Sequence, residues 1–170
     1  LREIVGRLPE IGEWVVEGVP GNHGMPQGRK AGAVTSTINY EYLWWNVLRS
    51  DCVDLPLKFG EFATHGRCLF EVAGQPFVMT HGSEVKGQLG IPFYGIRTAW
   101  AKHQQELGQV IRYFVFGHIH QTSLTTYGDG AAMSSGDVPG YNQLTPRLRN
   151  PSSTPKQSVY FVSHEHGLAE

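Results

Sequence analysis

Neither sign of charge dominates this chain of 170 residues: 14 Lys and Arg face 15 Asp and Glu, for a formal net charge of -1. That balance argues against a broadly basic surface of the kind that neutralises a nucleic-acid backbone, while leaving room for a local basic groove. Cysteine is scarce. Cys52 and Cys68 stand alone without CxxC spacing, so neither a disulfide framework nor a thiolate zinc site is expected, and both read as buried free thiols in a reducing compartment. No apolar run approaches the roughly 18 residues of a membrane span, and no charged-then-apolar signal opens the chain, so a cytoplasmic protein without a membrane partner is expected. Internal repeats and a domain-scale linker are also lacking. What is present is a composition of 40% hydrophobic residues with four Trp, eight Phe and seven Tyr, enough for a real core in a single domain spanning residues 1–170.

Apolar spacing predicts a helix within residues 1–13 that Pro9 ends or kinks, then a buried strand over Trp14–Val19 running into Pro20-Gly21-Asn22-His23-Gly24. A polar loop is expected over 25–37, and a helix over "YEYLWWNVLRS" with Trp44 and Trp45 in core or interface packing. Cys68–Val72 and Pro76–Thr80 read as a hairpin turning at Ala73-Gly74, and Ile96–Val110 as a helix with Gly108 near its end. "RYFVFGHIH" is a short strand entering a histidine pair. Further on, Asp129-Gly130 marks a hairpin turn, a proline-bearing loop covers 144–157, and "SVYFVSHEHG" reads as a last strand.

Three times an apolar run delivers a histidine. Asn22, His81, His118 and His120 all fall beyond expected strands, where an α/β sheet usually binds ligands. Amide oxygen and imidazole nitrogen form a mixed donor set, suited to manganese, iron, zinc or nickel more than to calcium.

"GNHG", "VMTHG" and "VFGHIH" resemble, in order and spacing, the GNH[DE] motif, the isolated metal-binding histidine and the GHxH motif of the calcineurin-like metallophosphoesterases, from Trp14 to about Val162. The resemblance implies an α/β fold of two packed mixed β-sheets flanked by helices, with two divalent metal ions, manganese favoured, at the strand ends. It implies that Asn22, His81 and His118 bind the second metal and His120 the first, and that His23 contacts the phosphate and assists the leaving group. The activity implied is two-metal hydrolysis of phosphomono- or phosphodiesters, with a nucleic-acid substrate among the options.

The DxH and GDxxD motifs that such a family places upstream do not occur in residues 1–19. The chain therefore resembles the C-terminal two-thirds of such an enzyme, lacking the first strands expected beside residues 14–19 and the carboxylates that compensate two cations. The alternative is a catalytically incomplete scaffold serving as a protein-interaction module, or a site completed by a partner chain or an N-terminal segment. Asp137 could lend a carboxylate, although a turn aspartate is the expectation for it. His65, His103, His164 and His166 receive no metal role. Arg29, Lys30, Arg97 and Lys102 read as scattered surface charges before they read as an anion groove, and Tyr94 and Trp100 as packing before stacking platforms.

Overall fold

The computed structural model describes residues 2–26, 38–63, 65–87, 92–140 and 154–169. Arg29 and Lys30, and most of the loops expected at 25–37 and 144–157, lie outside the described residues. The chain forms two compact units, residues 1–68 and 69–170.

In the first unit the expected opening helix is split. An α-helix, α1 (Arg2–Val5), gives way to a 3-10 turn over Leu8–Glu10 with Pro9 in its first positions, because proline is tolerated in a first turn and not inside an α-helix. Strand β1 (Trp14–Val16) lies parallel to β2 (Leu57–Phe59), a strand the sequence reading omitted. The buried strand expected over 14–19 is corrected on two counts. It is three residues long, and Val15 is 60% exposed.

Helix α2 (Tyr40–Asp51) starts at Asn39, whose side chain accepts from the Glu41 N–H at 2.9 Å. Its Trp45 packs against Phe59 and Phe62 with ring centroids 5.6 and 5.5 Å away. Trp44 stands 64% exposed, in a row with exposed Tyr40, Leu43 and Val47.

The second unit is built on a five-stranded sheet ordered β3 (Arg67–Val72), β4 (Gln75–Thr80), β5 (Tyr113–Phe116), β7 (Gly130–Ser134), β6 (Ser123–Tyr127). The β3–β4 hairpin turns at Ala73-Gly74 as expected, with φ of 50° and 73°, both left-handed as a type I′ turn requires. The β6–β7 turn sits one residue earlier than expected, at Gly128-Asp129, because Gly130 already pairs with Tyr127. Strands β4, β5 and β7 are mutually parallel and β6 is antiparallel to β7, so the sheet is mixed.

Alternation along β5 decides what covers each face. Phe114 and Phe116 point into a core with Val78, Ile96, Trp100 and Ile111, which brings in helix α3 (Phe93–Leu107). Tyr113 joins Phe77, Ala131 and Met133 on the opposite face, against Val162 and Leu168. Those two residues belong to a two-stranded antiparallel sheet, β8 (Val162–Ser163) with β9 (Gly167–Leu168). The single last strand expected over 158–167 is thus corrected: it folds back at His164-Glu165-His166. The result is the expected α/β fold, with the mixed five-stranded sheet packed against α3 on one face and the β8–β9 sheet on the other. Each fully buried aromatic or aliphatic side chain in these cores stabilises by about 1.5–3 kcal/mol. Among the described residues no helix is long and apolar enough to cross a membrane.

Candidate metal centre

Parallel register brings two of the three histidine stretches together. Thr80 at the end of β4 is level with Phe116 at the end of β5, so the residues that follow leave the sheet side by side. Gly117 N–H donates to the His81 carbonyl at 3.0 Å, extending the ladder one rung. Gly82, at φ 99°, is needed there because a Cβ would lie 2.8 Å from the Gly117 oxygen. His118 Nδ1 then stands 3.0 Å from His81 Nε2, with the rings edge to face at 4.8 Å.

That spacing suits a shared cation. Two imidazole nitrogens each about 2.0–2.1 Å from one ion, at a tetrahedral or octahedral angle, are about 3–3.4 Å apart. The same separation serves an N–H···N hydrogen bond between neutral rings; a shared cation would need both ring lone pairs turned toward one point.

Backbone strain marks the β5 loop. His118 and His120 adopt φ of 67° and 58°, a region that costs a non-glycine residue on the order of 1–3 kcal/mol and persists where the surroundings over-determine it. Between the two, Ile119 packs its side chain on the core beneath, and its N–H closes a tight turn around His118 onto the Gly117 carbonyl at 2.8 Å. His120 Nδ1 lies 3.7 Å from Asp137 Oδ2. Asp137 Oδ1 accepts from Gly140 N–H at 3.0 Å, so this residue is the turn aspartate expected and also faces a histidine. Beside them is a cleft of about 260 Å³ with Thr122 and Lys156 in its wall.

Thr80 and Glu84 brace the other loop. The Thr80 hydroxyl donates to Glu84 Oε1 at 2.5 Å, and His103 Nε2 lies 3.3 Å from the same oxygen. Burial pushes the Glu84 carboxyl up, but the hydrogen bonds from His103 and Thr80 outweigh it and hold the group below its ordinary value. His103, which received no metal role from its sequence, ties α3 to the loop after His81.

Asn22 and His23 lie in the first unit and the other three candidates in the second. The GNHG stretch is not an immediate strand end, since β1 stops at Val16. It is a turn held by α2. Glu41 Oε2 accepts from Gly21 N–H and Glu41 Oε1 from Gly24 N–H at 3.1 Å, while Asn39 Nδ2 donates to the Gly21 carbonyl at 2.9 Å. Sequence reading missed both residues. Asn immediately before a helical run, with an acid two places on, is the capping signal that would have found them.

No group of three or more His, Cys, Asp or Glu side chains among the described residues is arranged to hold a metal ion. A cleft of about 910 Å³ lies at the opposite ends of the strands, with Arg97, Trp100, Arg112 and Tyr127 in its wall. It has no histidine, and Arg112 is already bonded to the Asp129 carbonyl and Gln75 Oε1, both at 2.7 Å. Trp100 is a packing residue, its indole N–H donating to the Ile111 carbonyl at 2.9 Å. His164 and His166 are exposed turn residues.

No protein-family model matches the chain, and no curated protein matches it. Among solved structures it is similar to Vps29 from Entamoeba histolytica. A double mutant of that protein aligns with a TM-score of 0.45 and 18% identity, covering 85% of this chain and 69% of that one. A single mutant and the wild-type protein complexed with Zn2+ align at 0.39 and 0.40, each with 16% identity over 76% of this chain and 78% of theirs.

Proposed function

We propose that this chain is a metallophosphoesterase-like domain in which His81 and His118 hold a divalent ion, and that it serves as a metal-organised interaction scaffold. The observation that carries the reading is the 3.0 Å separation of His118 Nδ1 and His81 Nε2 at adjacent parallel strand ends. The donor chemistry fits manganese, iron, zinc or nickel, with manganese the first choice. By its resemblance to the GHxH motif, His120 is assigned to another ion. The scaffold role is supported by the exposed row Tyr40, Leu43, Trp44 and Val47 on α2, large apolar side chains of the kind that partner proteins cover.

The second reading is a phosphoesterase, favoured by His120 facing Asp137 beside Lys156 and Thr122. Two bound divalent ions would supply Lewis-acid polarisation and a hydroxide nucleophile. The chain's own part would be twofold: His120 and Asp137 hold one end of the site, and Lys156 offers a cation to a phosphate oxygen. A phosphodiester of a nucleic acid is one substrate of the required chemistry.

Calorimetric titration of the full chain with manganese and zinc tests the common core of both readings. Micromolar binding that weakens at least tenfold in His81→Ala and in His118→Ala is expected. Binding indifferent to both substitutions overturns it. The two roles separate on a chromogenic phosphodiester and a phosphomonoester with added manganese. Turnover abolished by His118→Ala and by chelation establishes the enzyme; metal binding without turnover leaves the scaffold.

A further inference from the structure

We infer that the cleft of about 910 Å³ at the strand ends remote from His81 and His118 binds a small aromatic carboxylic acid, with its carboxylate on Arg97 and its ring against Trp100, Ile111 and Val110.

One helix face makes one wall. Arg97, Trp100, Ala101 and Gln104 recur at the i, i+3, i+4, i+7 spacing of a single face of α3, so the cleft follows about 10 Å of helix. The other wall is Val110, Ile111 and Arg112, which lead into β5, with the Gly128-Asp129 turn. Two hydrogen bonds tie the walls together: Trp100 Nε1 donates to the Ile111 carbonyl at 2.9 Å, and the Ile111 N–H donates to Gln104 Oε1 at 3.0 Å. The Trp100 ring is held edge to face on Tyr127 at 5.8 Å. Val110 stands 78% exposed beside them, an apolar surface that an apolar ligand would cover.

The charges left unmatched select the ligand. Arg97 makes no ion pair or hydrogen bond among the described residues. Arg112 is bonded to two neutral acceptors, the Asp129 carbonyl and Gln75 Oε1, so no carboxylate offsets its charge there either. Two guanidinium groups against the single Asp129 carboxylate leave the wall at +2 - 1 = +1, which a monoanion balances and a phosphate dianion exceeds. A carboxylate also suits the paired N–H groups of a guanidinium. The wall's backbone is already satisfied. The Arg112 N–H donates to the Pro76 carbonyl at 3.1 Å and its carbonyl accepts from Ala131 N–H at 3.2 Å, as Ile111 is bonded at both its groups, so an extended peptide finds no ladder to join here. The volume falls in the range of about 300–1,000 Å³ that small-molecule sites occupy.

Calorimetry on the full chain tests this with indole-3-acetate, its neutral amide and acetate, in the presence of a chelator so that no histidine-bound metal takes the carboxylate. Indole-3-acetate should bind at about 1 mM or tighter, and the amide and acetate about tenfold or more weakly. Arg97→Gln, an exposed substitution, should abolish the preference for acid over amide, whereas Val110→Ser should weaken both alike. Equal binding of acid and amide to the unaltered chain, or a preference that survives Arg97→Gln, overturns the inference. So does binding lost in His118→Ala, which would put the acid at the other strand ends. A tryptophan-terminated peptide that binds more tightly than indole-3-acetate overturns the small-acid assignment in favour of a chain end.

Discussion

The loop after β1 and the loops after β4 and β5 carry the same kinds of side chain and are held by different forces. Among the described residues no strand reaches the GNHG turn, β1 ending at Val16. It depends on hydrogen bonds from Asn39 and Glu41, each worth about 0.5–1.5 kcal/mol net, or about 1.5–3 kcal/mol where a charged group takes part. His81 and His118 stand on parallel strands whose register is fixed by Val78, Phe114 and Phe116, all in the core. One site element is fastened by a few polar contacts at its rim, and the other by burial several residues below. Damage to the first should stay local; damage to the second should be global.

The largest expected effect is on the buried side. Phe114→Ala removes a ring that is 0% exposed and stacked on Phe116 at 5.0 Å, and should cost about 3–5 kcal/mol in urea denaturation, with the His81–His118 pair lost as the second unit unfolds. Asn39→Ala should cost about 1–3 kcal/mol, through the lost cap and an unbonded Gly21 carbonyl. Nitrogen shifts of the histidine rings should then stay in place, and coincident loss of both regions would erase the distinction. Third comes acid sensitivity. Glu84 is held below its ordinary value, so its contribution is complete above the unfolded carboxyl value of 4.5 and is lost as pH falls through the lower folded value. Stability measured from pH 6 to 3 should flatten in Glu84→Gln. The smallest effect concerns Cys68, whose thiol burial and the neighbouring Glu17 carboxylate push up to about 12. Thiol reagents at pH 8 should modify it at the rate of unfolding and no faster.

Elements whose signal is local were legible beforehand. The Ala73-Gly74 hairpin, the existence of helix α3 and the strand before His118 follow from periodicity and turn chemistry, although α3 starts three residues before the expected Ile96 and stops at Leu107, ahead of a left-handed Gly108, and not at Val110. β2 was illegible because three residues carry no periodicity, and β8–β9 because their apolar pattern serves a fold-back onto Tyr113, whose hydroxyl accepts from Leu168 N–H at 2.9 Å. For the site, the sequence named the histidines and not what holds them. Asn39, Glu41, Glu84 and His103 act through partners 4 to 20 positions away, and only the folded chain brings those partners within reach. Asp137 shows the overlap: a single carboxylate caps a turn and faces His120, and no motif separates the two uses.

The left-handed backbone at positions 118 and 120 has an evolutionary corollary. Glycine would relieve the cost at both places, since it alone occupies that conformation freely. A mutant library screened for heat resistance should therefore enrich glycine there, whereas one screened for chelation should keep the imidazoles. The two screens would pull this short loop in opposite directions.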